Sequence, residues 1–320
     1  MLDKRKIGDS GIEVAPLALG GNVFGWTADE KTSFDVLDAF VDAGGTMIDT
    51  ADVYSAWVEG HQGGESETVI GRWLKRDPSK RDKVVIATKV GFMAGLAPDS
   101  TAPACDASLQ RLGIEAIDLY YQHKDDESVP LADSLGAFDA LVKAGKVREI
   151  GLSQFTAPRL REAMETAAAQ GLHKPCCLQT WYNMVERAKL EGDLRDVAIQ
   201  NGMGILPFYS LANGFLTGKY RDKADLDKSP RGLRNVEYLE GRGQRVLEAL
   251  DGVSADTGAS LATIALAWTM AQPGITAALA SATSLAQLGE LTAAMQLELT
   301  AEQLGQLDAA SAELEGTERS

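Results

Sequence analysis

Cysteine is nearly absent from this chain: its 320 residues hold only Cys105, Cys176 and Cys177. An odd, sparse set with no CxxC pair gives neither a disulfide framework nor a zinc spacing, and suits a reducing compartment. Histidine is equally rare, and His61, His123 and His173 are too scattered to suggest a metal site. Basic charge is short too, with 31 Lys and Arg against 46 Asp and Glu and a formal charge of −15. That balance argues against nucleic acid and against an anionic membrane surface as partners. It still allows a local basic pocket for a phosphorylated cofactor. No apolar run reaches membrane-spanning length. No apolar h-region follows the charged start Asp3-Lys4-Arg5-Lys6, so no secretory signal is read and a cytoplasmic location is expected. No G-x-G-x-x-G follows a strand, which weakens a Rossmann reading.

What is present is a repeating alternation of short apolar strands and amphipathic helices. Lys6-Ile7 and Ile12-Glu13-Val14 flank a Gly8-Asp9-Ser10-Gly11 turn and predict a hairpin. Strands are then expected at 17–19, 47–48, 84–88, 117–121, 147–152, 176–180, 203–208 and 275–280. Helices are expected between them, including 65–75, 102–112, 131–144, 157–170 and 190–201. Capping signals are read at Thr27 to Glu30, at Thr156, at Ser284 to Gln287 and at Thr300 to Gln303. A long loop is expected from about 210 to 238, and a polar tail from Glu313. Eight βα units with no linker favour an α/β fold, a (β/α)8 TIM barrel. The N-terminal β-hairpin would plug its bottom, extra helices would follow at the C-terminus, and residues 1–320 would form a single domain.

Active sites of such barrels lie at the carboxyl ends of the strands. Those ends read in turn Gly20-Gly21-Asn22, Asp49 with Tyr54 five positions on, Lys89, Gln122-His123, Ser153-Gln154, Gln179, Tyr209-Ser210 and Ala280-Ser281. Asp, Tyr, Lys and His at four successive ends suit proton transfer to a carbonyl oxygen. A phenol titrates near 10, and a neighbouring ammonium is expected to lower that value. Asp49 would hold Lys89, and His123 would orient the carbonyl or relay the proton. The set has no nucleophile and no metal cage, so a nicotinamide hydride donor is implied. Each of these residues alone has an ordinary explanation, as turn cap, loop aromatic, solvated charge or core histidine; their joint order carries the weight.

The chain resembles the aldo-keto reductase superfamily over nearly its whole length. The resemblance rests on Ile48-Asp49-Thr50-Ala51-Asp52-Val53-Tyr54, Gly64-Glu65-Ser66-Glu67, Ile86-Ala87-Thr88-Lys89, Ile117 to His123, Gly145 to Ser153, and Pro207 to Tyr220. It implies a catalytic tetrad of Asp49, Tyr54, Lys89 and His123, with Tyr54 as the general acid. It implies cofactor contacts at Gly21, Asn22, Asp49, Ser153, Gln179 and Tyr209, the last stacking on the nicotinamide. Gln154 stands where the family usually has Asn. Ser210, Leu211, Gly214, Leu216, Gly218 and Lys219 would run along the pyrophosphate. At the last strand end, Ser281, Thr283 and Gln287 stand without the usual basic residue, Glu290 keeps the family's residue, and Leu291 replaces an asparagine. That departure leaves NADP(H) or NAD(H) open. Trp26, Trp57 and Phe92, with Tyr54 and His123, are the substrate-side candidates.

The expected function is hydride transfer between NADPH or NADH and an aldehyde, a ketone or the corresponding alcohol. One alternative is an NAD-dependent dehydrogenase of a sugar or other alcohol working mainly oxidatively. Another, of a different class, is a nucleotide-sensing regulatory subunit. The expected partner is a small carbonyl or alcohol, with oligomeric state left open.

Overall fold

In the computed structural model, residues 3–229 and 232–313 are described. Strands β1 (Arg5–Lys6) and β2 (Glu13–Val14) form an antiparallel ribbon. The barrel strands are β3 (Leu17–Gly20), β4 (Met47–Asp49), β5 (Val85–Val90), β6 (Ile117–Gln122), β7 (Val147–Ser153), β8 (Cys177–Trp181), β9 (Gly204–Phe208) and β10 (Ala278–Ala280). They pair in parallel in the order β10-β3-β4-β5-β6-β7-β8-β9. The ring closes where Ile205 bridges Ile275, with Ile205 N donating to Gly274 O at 3.1 Å and Thr276 N to Ile205 O at 2.8 Å.

Between the strands lie α1 (Glu30–Asp42), α2 (Glu65–Arg76), α3 (Pro98–Leu112), α4 (Leu131–Lys143), α5 (Ala157–Gln170), α6 (Asp193–Gln200), α7 (Arg242–Thr257) and α8 (Leu261–Ala271). After β10 come α9 (Leu285–Ala293) and α10 (Ala301–Ser311). Among the described residues, no helix is long and apolar enough to cross a membrane.

Strand periodicity sorts the side chains. Successive residues of a strand point to opposite faces. Ala18, Met47, Ala87, Leu119, Tyr121, Cys177, Leu206 and Leu279 form the barrel interior, and Ile7 and Val14 of the ribbon close it. Ile48, Ile86 and Tyr120, one residue out of phase, pack outward in the layer that holds α1 to α4. Gly151 gives the interior room: a Cβ there would meet Tyr121 Cε1 at 2.5 Å and Cys177 Sγ at 2.8 Å. Both adjacent cysteines are free and buried, as core residues.

Several local expectations shift. The α1 N-cap is Asp29 rather than Thr27, because the Asp29 carboxylate accepts the Thr32 N–H at 2.7 Å. Thr156 takes the N-cap position of α5 but its hydroxyl accepts no capping bond. The Thr300–Gln303 capping box is complete. Helix α3 starts a turn early, at Pro98, and carries Pro103 internally. Strand β5 runs through Lys89 because its pairing with β6 continues to Val90 and Gln122. The expected 210–238 loop contains three short 3-10 segments, Ala212–Thr217, Lys223–Lys228 and Gly232–Tyr238. The tail beyond Glu313 lies outside the described residues.

Candidate active site

The parity that buries Met47, Ala87 and Tyr121 inside the barrel also brings Asp49 and Lys89 inward two residues further along β4 and β5, and His123 follows two residues after Tyr121, just past the end of β6. All three are buried. Lys89 Nζ donates to Asp49 Oδ1 at 2.5 Å, to the Thr50 carbonyl at 2.7 Å and to the Tyr54 hydroxyl at 2.9 Å. An ammonium has three donors, so Lys89 is fully committed. The Tyr54 hydroxyl reaches Asp49 Oδ1 only at 3.4 Å. His123 stands across from Tyr54, ring centroids 6.0 Å apart, and its Nδ1 is buried without a partner. The sequence thus brings all four residues together.

The electrostatics differ from the expectation in one respect. Burial pushes the Tyr54 phenol up to about 12, outweighing the lowering pull of Lys89, and the Asp49 carboxylate adds to the rise. The expected net depression does not occur, because a dry site penalises the phenolate more than one shared ammonium favours it. Burial alone would lower Lys89, but Asp49 and Tyr54 raise it, so the ammonium persists. His123 is pushed down to about 2, first by burial and then by the charges of Lys89 and Lys124, and is neutral at physiological pH.

A second layer backs this set. Thr88 points outward from β5 and donates to Glu67 Oε1 at 2.5 Å, and Arg111 Nε donates to Glu67 Oε2 at 2.7 Å. Thr50 donates to Ser66 Oγ, which donates to the Gly21 carbonyl, each at 2.7 Å. Gly21 N in turn donates to the Asp49 carbonyl at 2.7 Å. These bonds tie the ends of β3, β4 and β5 to the start of α2.

On the far side of the barrel, Gln179 Nε2 donates to Asp49 Oδ2 at 2.8 Å, joining β8 to the Asp49–Lys89 pair. Ser153 is buried beside it on β7. Gln154 sits at φ +58 and donates through Nε2 to the His123 carbonyl at 3.0 Å. Tyr209 lies at φ +56, a conformation few bulky residues adopt. Asn183, which the sequence reading missed, holds it there by donating to the Tyr209 carbonyl at 3.1 Å. The Asn183 side-chain oxygen meanwhile accepts the N–H groups of Val185 and Glu186. Trp181 lies against the Tyr209 ring, centroids 4.3 Å apart.

Ser210 Oγ donates to the Pro207 carbonyl at 3.2 Å, and Leu216 is buried. Leu211 accepts the Gly214 N–H at 2.8 Å through its carbonyl. Ala212, Asn213 and Gly214 all have positive φ and reverse the chain tightly. A Cβ on Gly214 would meet Lys219 Nζ at 3.1 Å, so an ammonium lies against bare backbone there. Gly218, at φ +77, ends this segment.

At the last strand end, Ser281 Oγ donates to Asn22 Oδ1 at 2.7 Å. Ser284 caps α9 by accepting the Gln287 N–H. The return half of the expected box lands one residue earlier: Gln287 Oε1 accepts from Thr283 N at 2.9 Å and Thr283 Oγ1 at 3.0 Å. Glu290 is exposed, and its backbone carbonyl accepts the Thr263 hydroxyl at 2.8 Å.

Over the tetrad, Trp26 meets Trp57 edge-on at 5.5 Å, Trp57 meets Tyr54 at 6.1 Å, and Phe92 lies 5.0 Å from His123, all between ring centroids. Hollows of about 330 and 500 Å3 open among residues such as Lys4, Thr46 and Lys83, and neither is lined by any of these groups. The converging chemistry, and not cavity size, marks this site.

The aldo/keto reductase family profile matches residues 16–312. The chain is 31% identical over 313 residues to the uncharacterized oxidoreductase YrpG of Bacillus subtilis, covering 94% of each chain. It is 31% identical over 309 residues to aldo-keto reductase str7 of Strobilurus tenacellus, covering 93% of this chain and 86% of that one. It is also 29% identical over 299 residues to a probable voltage-gated potassium channel subunit beta of Arabidopsis thaliana, covering 89% of each. With the barrel, the buried Asp49–Lys89 pair bonded to the half-buried Tyr54 and a family match over nearly its full length, the chain belongs to the aldo/keto reductase family, oxidoreductases acting on carbonyls.

Proposed function

We propose that this protein moves hydride between a nicotinamide cofactor and an aldehyde or ketone, with Tyr54 giving the proton to the carbonyl oxygen. The observation that carries this reading is the full commitment of Lys89 to Asp49, Thr50 and Tyr54. Lys89 donates into the phenol oxygen, and the phenol's own proton has only a long 3.4 Å contact to Asp49 Oδ1, which an incoming acceptor can replace. Lys89, itself fully buried, also stabilises the phenolate left behind. With its phenol pushed up to about 12, Tyr54 stays protonated at neutral pH, which suits the reductive direction. Neutral His123 offers a hydrogen bond to the same carbonyl oxygen without competing for the proton.

The bound nicotinamide supplies the hydride. Tyr209 would present its ring to the nicotinamide, and Ser153 and Gln179 would meet the carboxamide. Gly21 and Asn22 would line the approach, while Gln154 would act through the His123 carbonyl it holds. The segment from Ser210 through Leu211, Gly214, Leu216 and Gly218 to Lys219 would follow the pyrophosphate. Ser281, Thr283, Gln287 and Glu290 would face the adenosine end. Trp26, Trp57 and Phe92 would form the substrate walls. The whole chain would work as one domain.

A second reading is NAD(H)-linked chemistry on an alcohol. Gln287 supports its cofactor preference by occupying the Thr283 N–H and hydroxyl, and no Lys or Arg replaces them between residues 280 and 291. A panel of carbonyls and alcohols with NADPH, NADH, NADP+ and NAD+, followed by absorbance of the reduced cofactor, separates the readings. Carbonyl-dependent oxidation of NADPH or NADH supports the first, and turnover confined to NAD+ with alcohols supports the second. Stoichiometric binding without turnover across the panel overturns both in favour of a nucleotide-sensing subunit.

A further inference from the structure

Lys124 follows His123 directly and lies outside the proton-transfer set. Its Nζ stands 5.0 Å from the centroid of the Phe92 ring, and that ring stands 5.0 Å from the His123 ring. One aromatic ring is therefore shared by the ammonium and the imidazole as a neighbour. Lys124 and Phe92 are both exposed, Phe92 at 42%. Two neighbouring carboxylates, Asp125 and Asp126, are engaged by other groups. Asp125 accepts two bonds from Arg159, at 2.7 and 2.9 Å, and Asp126 accepts from Leu96 N, Ser128 N and Ser128 Oγ. Among the described residues, no acid lies within ion-pair distance of Lys124. A lysine folded onto an aromatic face is held in place while its charge stays available. Trp26, Trp57 and Tyr54 form a further run of edge-on ring contacts.

Around Tyr54 and His123 there are thus aromatic rings at Trp57 and Phe92 and, over Phe92, a cation without an ion-pair partner, in a chain whose formal charge is −15. An acidic protein repels anions at long range, so a cation at the pocket rim is the local element able to offset that repulsion. We propose that Lys124 selects carbonyl substrates bearing a carboxylate or similar anionic group. The carbonyl would lie at Tyr54 and His123, the apolar body against Phe92, and the anion at Lys124. This rests on the carbonyl-transfer reading of the same site and adds to it a substrate class and a specificity residue.

A matched pair of probes tests it: 4-formylbenzoate and its uncharged methyl ester, with the cofactor-loaded native protein and its Lys124→Met and Lys124→Glu variants. The readout is the ratio of kcat/KM for the acid to that for the ester, so a general loss of activity cancels. The ratio should fall roughly fivefold in Lys124→Met, through KM, and further in Lys124→Glu. Added salt should lower the ratio in the native protein relative to that in Lys124→Met, where only the repulsion is left to screen. An equal ratio in all three proteins overturns the proposal. If neither aldehyde turns over, quenching of tryptophan fluorescence reports binding through Trp26 and Trp57. Tighter binding of the acid that is lost in Lys124→Met then keeps the anion site and removes the carbonyl chemistry. Absent binding, or binding indifferent to Lys124, overturns the anion site itself.

Discussion

The Lys89 ammonium lies 2.5 Å from the Asp49 carboxylate, with each side chain only 1% exposed. Such a pair is costly to break from one side, because the remaining charge is buried alone. Asp49→Asn and Lys89→Met should each lower stability by about 3–5 kcal/mol. The double variant should lose clearly less than the two costs added. Urea midpoints for the four proteins check this, and strictly additive losses would contradict the coupling.

Asp52 predicts a pH dependence of stability. Its carboxyl is pushed up to about 6, chiefly by burial and then by Glu67, against the pull of Arg111 and Lys89. Its Oδ1 has no partner. A folded-state value raised above the unfolded one means that the native state holds the proton more tightly. The associated stability is therefore full below the unfolded value and is lost as pH rises through about 6. Asp52→Asn should stabilise the protein by about 1–2 kcal/mol at pH 8 and by almost nothing near pH 4. Thermal midpoints at the two pH values are the measurement, and a gain independent of pH would sink the argument.

Asn183 has its own test. It makes three hydrogen bonds, one of which fixes Tyr209 in its left-handed conformation. Asn183→Ala leaves buried backbone groups unpaired, at a cost of about 1–3 kcal/mol. It should also release the Tyr209 ring and weaken nicotinamide binding roughly tenfold, since 1.4 kcal/mol is a factor of ten. Titration followed by fluorescence decides; an unchanged dissociation constant would leave Asn183 a purely structural residue.

Thr283→Arg addresses cofactor choice. It adds a planar fork able to pair with a 2′-phosphate, next to the Gln287 amide that now takes the Thr283 donors. The ratio of kcat/KM for NADPH over NADH should rise about tenfold. No change would show that the adenosine end lies elsewhere.

The barrel and the Asp49, Lys89 and His123 positions were legible because strand parity is written in the sequence. Met47 and Asp49, Ala87 and Lys89, and Tyr121 and His123 lie two residues apart, so each pair shares a face. Less legible was whatever depends on closure across the ring. Gln179 reaches Asp49 from 130 residues away. The Asn183 contact exists only because Tyr209 turns left-handed. The direction of the Tyr54 shift follows from how dry the closed site is, which no local pattern records. The 212–238 segments are short 3-10 turns without helical periodicity, and they read as loop. Gln287 had the right capping spacing, yet its amide chose the donors of Thr283 over the N–H of Ser284.

The most direct test of the central claim is Tyr54→Phe, which removes one hydroxyl oxygen and leaves the ring among Trp57, His123 and Lys89. Carbonyl-dependent oxidation of the reduced cofactor is measured beside cofactor affinity by fluorescence. Turnover should fall at least about a hundredfold while affinity is unchanged. Native turnover in Tyr54→Phe would contradict proton delivery by this residue.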